Sequence, residues 1–434
     1  MKSQLDQIYN AITGDEDARV CKDIPDSACR HLPRNFFAYL CSNVLTKIAD
    51  ELASARLMLP WLLGSLGVPA SFTGFLVPIR EAGVLLPQLL VAAYIRRLPV
   101  RKWVWIIGAG LSALVMLLMA LLVERFHGVM AGWAVLVLIT LFSLARGICS
   151  VSAKDVIGKT VSKTRRGVLM GYSAGISGVI VFCIGLYVMF YVDVSRQSDL
   201  FVVFLLACAI IWLLAILIFW LIREEPGAVE GGGNAIEMAI KSLALIKTDK
   251  PFREFLIART LLLSVALVLP FYALMAQTNS ESISDLGMLI IAGGLAGSLS
   301  SPIWGKMGDQ SSRRVMALSA FGAGILGITT FILNLVLPGM MTSIWVYAVL
   351  FFLVSVCHSG VRLGRKTYLV DMSNLDNRSA YTAVSNTLIG LAMIIGGLFG
   401  VLADILNTIS VIGLLGLVAL LSAFYIYGIK EVSG

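Results

Sequence analysis

Residues 200–222 read LFVVFLLACAIIWLLAILIFWLI, a run without a single charged side chain. Wound as a helix at ~1.5 Å per residue, it reaches across the ~30 Å hydrocarbon core of a bilayer. A barrel strand would alternate apolar and polar positions, and this run does not. Runs of the same kind recur along the chain and predict spans at 38–64, 72–95, 103–123, 130–150, 167–191, 200–222, 254–276, 284–305, 314–337, 343–363, 380–402 and 408–428. Twelve spans of ~20 residues take about 240 positions, and 58% of the 434 residues are apolar. Charged residues make up 14%, too few to cover a water-soluble globule, in which ~25% is usual. The expected fold is an all-α membrane protein, because only helices satisfy their backbone polar groups within each such span.

The net charge of +8 matters through its placement. Of 34 Lys and Arg, 27 fall on one side of the predicted spans and two, Arg125 and Arg196, on the other. Lys47, Arg56, Arg80, Arg146 and Arg259 fall inside spans. The positive-inside rule then puts both termini in the cytoplasm, with the chain a multi-pass protein of the cell inner membrane. The basic residues thus report topology, and a nucleic-acid partner is not expected.

The longest internal polar segment carries Glu224-Glu225-Pro226-Gly227 and Gly231-Gly232-Gly233. It divides the chain into a cytoplasmic N-terminal segment (1–37), a first six-helix bundle (38–222), a linker (223–253), a second six-helix bundle (254–428) and a tail (429–434). Within the linker, 235–248 alternates at helical spacing, as a helix on the membrane face or packed on the protein would. The first 34 residues lack an apolar stretch, so no cleaved signal peptide is expected. Seven scattered cysteines and three histidines form no metal-ligand spacing, and Cys21 and Cys29 are expected as free thiols. Neither a metal nor a cofactor is expected, and no nucleophile-base pairing suggests an enzyme, so there are no catalytic residues to name.

A tandem repeat is visible at an offset of 212, which relates Lys47 to Arg259, Arg101-Lys102 to Arg313-Arg314, Lys154 to Lys366, Arg166 to Arg378 and Gly178 to Gly390. Small residues at Gly171, Gly175 and Gly178, at Gly293, Gly294 and Gly297, and at Gly396 and Gly400 are expected to let helix backbones approach.

A charge at mid-bilayer costs roughly 2.5–3.5 kcal/mol and needs water or a partner. Asn43, Lys47, Asp50, Glu51 and Ser54 fall on one face of the first span, which is expected to line a central cavity. Arg56 falls near the opposite side, where snorkelling serves it. In the second span, Arg80 and Glu81 lie two turns deep, and Gln88 follows on the same face as Glu81. Asp50, Glu51 and Glu81 are candidate proton carriers, and Asn43, Lys47, Arg80, Gln88, Arg146, Tyr272 and His358 are candidate cavity residues. The alternative is a permanently paired Lys47/Asp50/Glu51/Arg80 network that only holds two helices in register. Cations outnumber acids in the spans by two, which favours an anionic solute.

The whole pattern resembles the major facilitator superfamily over residues 35–428. The most specific likeness is the loop Gly305-Lys306-Met307-Gly308-Asp309-Gln310-Ser311-Ser312-Arg313-Arg314, which is similar to that family's Gly-x-x-x-Asp-(Arg/Lys)-x-Gly-Arg-(Arg/Lys) loop; Gln310 and Ser312 depart from it. The first-half counterpart ends in Arg101-Lys102 but has Arg97 where the acid belongs, so a latch there needs an acidic partner such as Asp155. Ser162-Lys163-Thr164-Arg165-Arg166-Gly167 resembles the family's loop before the fifth span. The fifth span lacks the family's antiporter Gly-Pro pair.

The resemblance implies twelve helices in two pseudo-symmetric bundles, with Gly305, Asp309, Arg313 and Arg314, together with Arg97, Arg101, Lys102 and Asp155, forming a cytoplasmic gate. The implied function is a permease, a monomeric secondary transporter moving a small solute with protons by alternating access. An efflux pump for amphipathic compounds and a non-transporting sensor or assembly factor of the same fold remain open.

Overall fold

Every apolar run forms a helix, and polar side chains between runs set the stops. The computed structural model describes residues 9, 29–86, 91, 94–95, 97–192, 197–226, 245–280, 282–374 and 378–432. The first bundle consists of α1 (Leu32–Leu52) and α2 (Met58–Ser65), which together make the first span, α3 (Ala70–Leu85), α4 (Lys102–Val123), α5 (Gly128–Thr160), α6 (Lys163–Tyr191) and α7 (Gln197–Trp220). The second consists of α8 (Lys250–Leu261), α9 (Leu263–Leu267) and α10 (Leu269–Thr278), which make the seventh span, then α11 (Ser284–Gln310), α12 (Ser312–Val336) and α13 (Ile344–Asp371). The eleventh span is α14 (Arg378–Gly396) with α15 (Leu398–Leu406), and α16 (Thr408–Gly428) is the twelfth. Among the described residues, ten helical stretches are long and apolar enough to cross a membrane on length and composition alone.

Ser311 ends α11 and caps α12, its hydroxyl accepting from the Arg314 backbone N–H at 3.1 Å. Asp249 caps α8 in the same way through Phe252. Asn407, at φ 120°, turns the chain between α15 and α16 and accepts from the Ser410 N–H. The outward stripe of α4 (Trp103, Ile107, Leu111, Leu114, Leu118, Leu121) is exposed and apolar, as a lipid-facing surface requires. On the inward side Trp105 stacks on Phe219 of α7 at 3.8 Å.

Three expectations are corrected. First, α5 and α13 run on to Thr160 and Asp371, past the expected ends at 150 and 363. The apolar run marks where lipid ends, while polar residues such as Lys154 and Arg365 continue the helix beyond it. Second, the first span breaks between Leu52 and Met58, and the seventh breaks at Leu262 and Val268. Third, Cys29 is disulfide-bonded instead of free. Cys21, Gln88 and residues 235–244 of the linker lie outside the described residues; Leu245–Thr248 forms one helical turn.

The repeat is visible in the boundaries. Shifted by 212, α4 would run 314–335 against Ser312–Val336 for α12, and α7 would begin at 409 against Thr408 for α16. The broken first and seventh spans are repeat mates as well, whereas the eleventh, broken at Gly397, has the continuous α6 as its mate.

The bundles meet at the end away from the basic loops. A Cβ on Gly74 of α3 would lie 2.3 Å from the Gly400 Cα of α15, and one on Gly287 of α11 would lie 2.6 Å from the Met189 backbone N of α6. The Ser71 N–H donates to Asp404 Oδ2 across the same junction at 3.1 Å. Toward the basic end α6 and α11 diverge. A Cβ at Gly171, Gly175, Gly294, Gly297 or Gly305 would meet nothing within 4 Å. An open hollow of about 590 Å³ runs along α6 there, lined by Val168, Gly171, Tyr172, Gly175 and Ile176. Of the three glycine groups expected to bring backbones together, the Gly396/Gly400 group does so here, while the other two lie largely in open space.

Candidate functional site

α1 is regular through residues 43–51, so its polar stripe stays on one face. Asp50 is the hub. Its Oδ1 accepts from Arg80 Nη2 of α3 at 3.2 Å, and its Oδ2 accepts from Arg146 Nη2 of α5 at 2.6 Å. Both guanidiniums also rest on aromatic faces: Arg80 lies 5.1 Å from the Phe142 centroid and Arg146 4.7 Å from that of Trp212. Phe142 and Trp212 are themselves fully buried, so this triad is clamped between α1, α3, α5 and α7. It is not sealed, since Asp50 keeps 25% and Arg80 21% of its side chain exposed.

The neighbouring carboxylate behaves differently. Glu51 is exposed to the cleft and makes no hydrogen bond or ion pair with a described residue. It lies within electrostatic reach of Arg56, Asp50, Arg80 and, from the second bundle, Arg362. Glu81 pairs with Arg56 at 2.9 Å. That contact corrects the expectation that Arg56 snorkels away from the cavity. The helix-wheel reading assumed a continuous helix, and the break after Leu52 turns Arg56 inward. Lys47, partly exposed, also faces Arg362.

The second bundle contributes His358, Arg362 and Arg365, spaced i, i+4 and i+7 on α13, and Arg259 on α8. Arg362 is exposed and Arg365 half-buried, and neither makes a hydrogen bond or ion pair with a described residue. Arg259 is buried; it donates to Ser385 Oγ, and its Nη2 donates to Asn386 Oδ1 at 3.1 Å. His358 is 6% exposed, and both of its ring nitrogens lack a hydrogen-bond partner among the described residues. It sits within electrostatic reach of Arg56, Arg362 and Arg365.

Other candidates fall elsewhere. Tyr272 is buried inside the second bundle, its hydroxyl bonded to Thr330 Oγ1 at 2.9 Å, so in this conformation it packs a core and does not line the cleft. Asn43 donates to Met170 Sδ of α6.

At the basic end, Arg101 pairs with Asp155 at 3.2 Å, while Arg97 is exposed. Glu224, which the sequence reading treated only as linker, is the larger element. Its buried carboxylate accepts from the Arg101 N–H (2.9 Å), the Lys102 N–H (2.7 Å) and Lys159 Nζ (2.9 Å), neutralising the positive end of α4. Glu431 is its counterpart at α12, accepting from Ser311 Oγ and from Arg313 Nε at 3.2 Å. An acid a few residues past the sixth and the twelfth span was the available sequence signal. Asp309 is exposed and makes no hydrogen bond or ion pair with a described residue, and Gly305 beside it faces open space. The α11–α12 loop is therefore disengaged from the first bundle in this conformation.

The sequence model of the Major Facilitator Superfamily matches residues 255–432. No curated protein matches the chain by sequence. Among solved structures, the chain is similar to the inward-open xylose transporter XylE from E. coli, with a TM-score of 0.66 and 14% identity over 92% of this chain and 96% of that one. It is also similar to the nucleoside transporter NupG (TM-score 0.71, 11% identity, 91% and 99% covered). A POT family transporter in complex with 5-aminolevulinic acid gives a TM-score of 0.70 at 12% identity, with 91% and 95% covered.

Proposed function

From a chain that has the Major Facilitator Superfamily fold, with that family's sequence pattern in its second half, we propose a proton-coupled transporter whose two bundles, 38–222 and 254–428, rock about the charged cleft. The basic end is cytoplasmic by the positive-inside rule, so the conformation described here is open to the cytoplasm and closed at Gly74/Gly400 and Gly185/Gly287. The protein works as a monomer in the cytoplasmic membrane, with the cleft between its own bundles as the path.

The observation that carries the reading is the contrast between Asp50 and Glu51. Protonating Asp50 would strand two guanidiniums inside the membrane, so its triad serves as a fixed pin between helices. Glu81 is engaged by Arg56. Glu51 has water access, no fixed partner among the described residues, and cations on both bundles within reach, which suits a carboxyl group that binds and releases a proton as the halves move. Its neighbour Arg362 belongs to the opposite bundle, so the field on Glu51 changes when the cleft closes. The same change of field links protonation to access, as alternating access requires.

Proteoliposomes holding an internal pH dye test this reading. Solutes from the classes carried by the structural neighbours, together with small oxyanions, are added under an imposed pH gradient. An active solute should drive proton entry in the wild type. Glu51→Gln should abolish gradient-driven accumulation and leave solute exchange intact. Accumulation that persists in Glu51→Gln removes Glu51 from coupling.

A further inference from the structure

The charges lining the cleft do not balance. Among the described residues, Asp50, Glu51 and Glu81 are its acids, while Lys47, Arg56, Arg80, Arg146, Arg259, Arg362 and Arg365 face them. Two arginines are taken by Asp50 and one by Glu81. Among the described residues, Arg259 hydrogen-bonds to the neutral groups of Ser385 and Asn386. Arg362 and Arg365 have neither a hydrogen bond nor a salt bridge to a described residue; the two lie within electrostatic reach of one another and of Glu81, which is itself paired with Arg56. Arg259 is in turn within reach of Arg365. Next to them is the His358 imidazole, 94% buried, with no hydrogen-bond partner for either nitrogen among the described residues. A buried ring nitrogen without a partner costs free energy that a ligand atom can recover. Farther out, Lys366 meets the field of its repeat mate Lys154 across the cleft, so like charges oppose closure at the basic end.

We infer that the solute is a small oxyanion, a carboxylate or phosphate with at least two anionic oxygens, held by Arg362, Arg365 and His358 with Arg259 behind them. The inference rests on the transporter reading and gives it a solute class. Guanidiniums take such groups through paired, charge-assisted N–H···O bonds, and the hydroxyls of a neutral sugar bring no counter-charge to them. The anion also supplies the counter-charge that the facing cations lack, so its binding relieves the repulsion that keeps the basic end apart. It thereby binds the closed form better than the open one, which a ligand must do to shift the equilibrium.

Glu51 enters as a competitor. When ionised it offers Arg362 a carboxylate, and when protonated it leaves Arg362 to the solute. The other charged groups facing Glu51 are Arg56 at the helix break, Arg80 on α3 and Asp50 beside it. Asp50 stays with its two arginines and Arg56 with Glu81, so they keep their charges through the cycle. Proton and anion therefore bind together, with anion affinity rising as pH falls.

The test is binding to the full chain in nanodiscs, read by calorimetry and by thermal unfolding, with inorganic phosphate, succinate, glucose and choline as probes at pH 5.5 and 8. Phosphate or succinate should bind and stabilise, and the better of the two separates a phosphate from a carboxylate site. Arg362→Gln and Arg365→Gln should each weaken binding at least tenfold while retaining the wild-type unfolding profile without ligand. Glu51→Gln should bind at pH 8 as the wild type does at pH 5.5. The inference is overturned if neither oxyanion binds, if glucose or choline binds as well as they do, or if the arginine variants bind normally. Because no transport is measured, those results leave coupling through Glu51 standing, and loss of coupling with intact anion binding would overturn only the earlier reading.

Discussion

Asp50 and Glu51 are adjacent in sequence, yet one carboxylate is fixed by two arginines and the other makes no hydrogen bond or ion pair with a described residue. The difference arises from what α3 and α5 present to each. Arg80 and Arg146, backed by Phe142 and Trp212, converge on Asp50 alone. Breaking a partly buried pair by removing one member leaves uncompensated charge and costs about 3–5 kcal/mol. Asp50→Asn is therefore expected to lower the thermal unfolding temperature sharply, and Glu51→Gln to shift stability by no more than ~0.5 kcal/mol. Unfolding curves of the purified variants decide this, and equal losses would contradict the division of roles. The stripe on α1 was legible from helical spacing. Which acid was paired was not, because the pairing depends on residues some 30 and 96 positions away along the chain. Arg365 was missed for another reason: it lies past the apolar run and reads as a loop charge until α13 is seen to continue.

At the scale of elements, the closest backbone approaches between the bundles lie toward helix ends. Asp404 sits at the N-terminus of α3, where a carboxylate is worth about 0.3–1 kcal/mol. Asp404→Asn should therefore reduce the population closed at this end about two- to fivefold. Gly74→Ala should act more strongly in the same direction. Its methyl group would collide with the Gly400 backbone, and overpacking of that kind costs ~1–3 kcal/mol. Labelling rates of a single cysteine introduced at Gly171, in a background lacking the seven native ones, report the change. They should fall in both variants as the basic end closes, and unchanged rates would show that this junction does not gate access. Helix spans were readable from hydropathy to within a few residues at most ends. The break in the first span was not, since nothing between Leu52 and Met58 is a proline or glycine. That hidden break is what brings Arg56 to Glu81.

At the scale of the whole molecule, two six-helix bundles whose helices have similar boundaries at an offset of 212 meet at one end. The twelve-helix architecture was legible because bilayer thickness and the basic-loop asymmetry fix it with little help from tertiary detail. Which way the cleft opens was not, because one set of glycine faces closes at one end while another waits at the other. Gly171 and Gly175 of α6 and Gly294 and Gly297 of α11 face open space, and the proposed rocking would pack them together at the basic end. The most direct test is a pulsed-EPR distance between spin labels at Gly167→Cys and Lys306→Cys in the cysteine-free background. Rocking bundles should give a long distance matching the open basic end and a shorter second one, and the shorter should gain population when Gly74→Ala is added. A single distance that Gly74→Ala leaves unchanged would contradict alternating access.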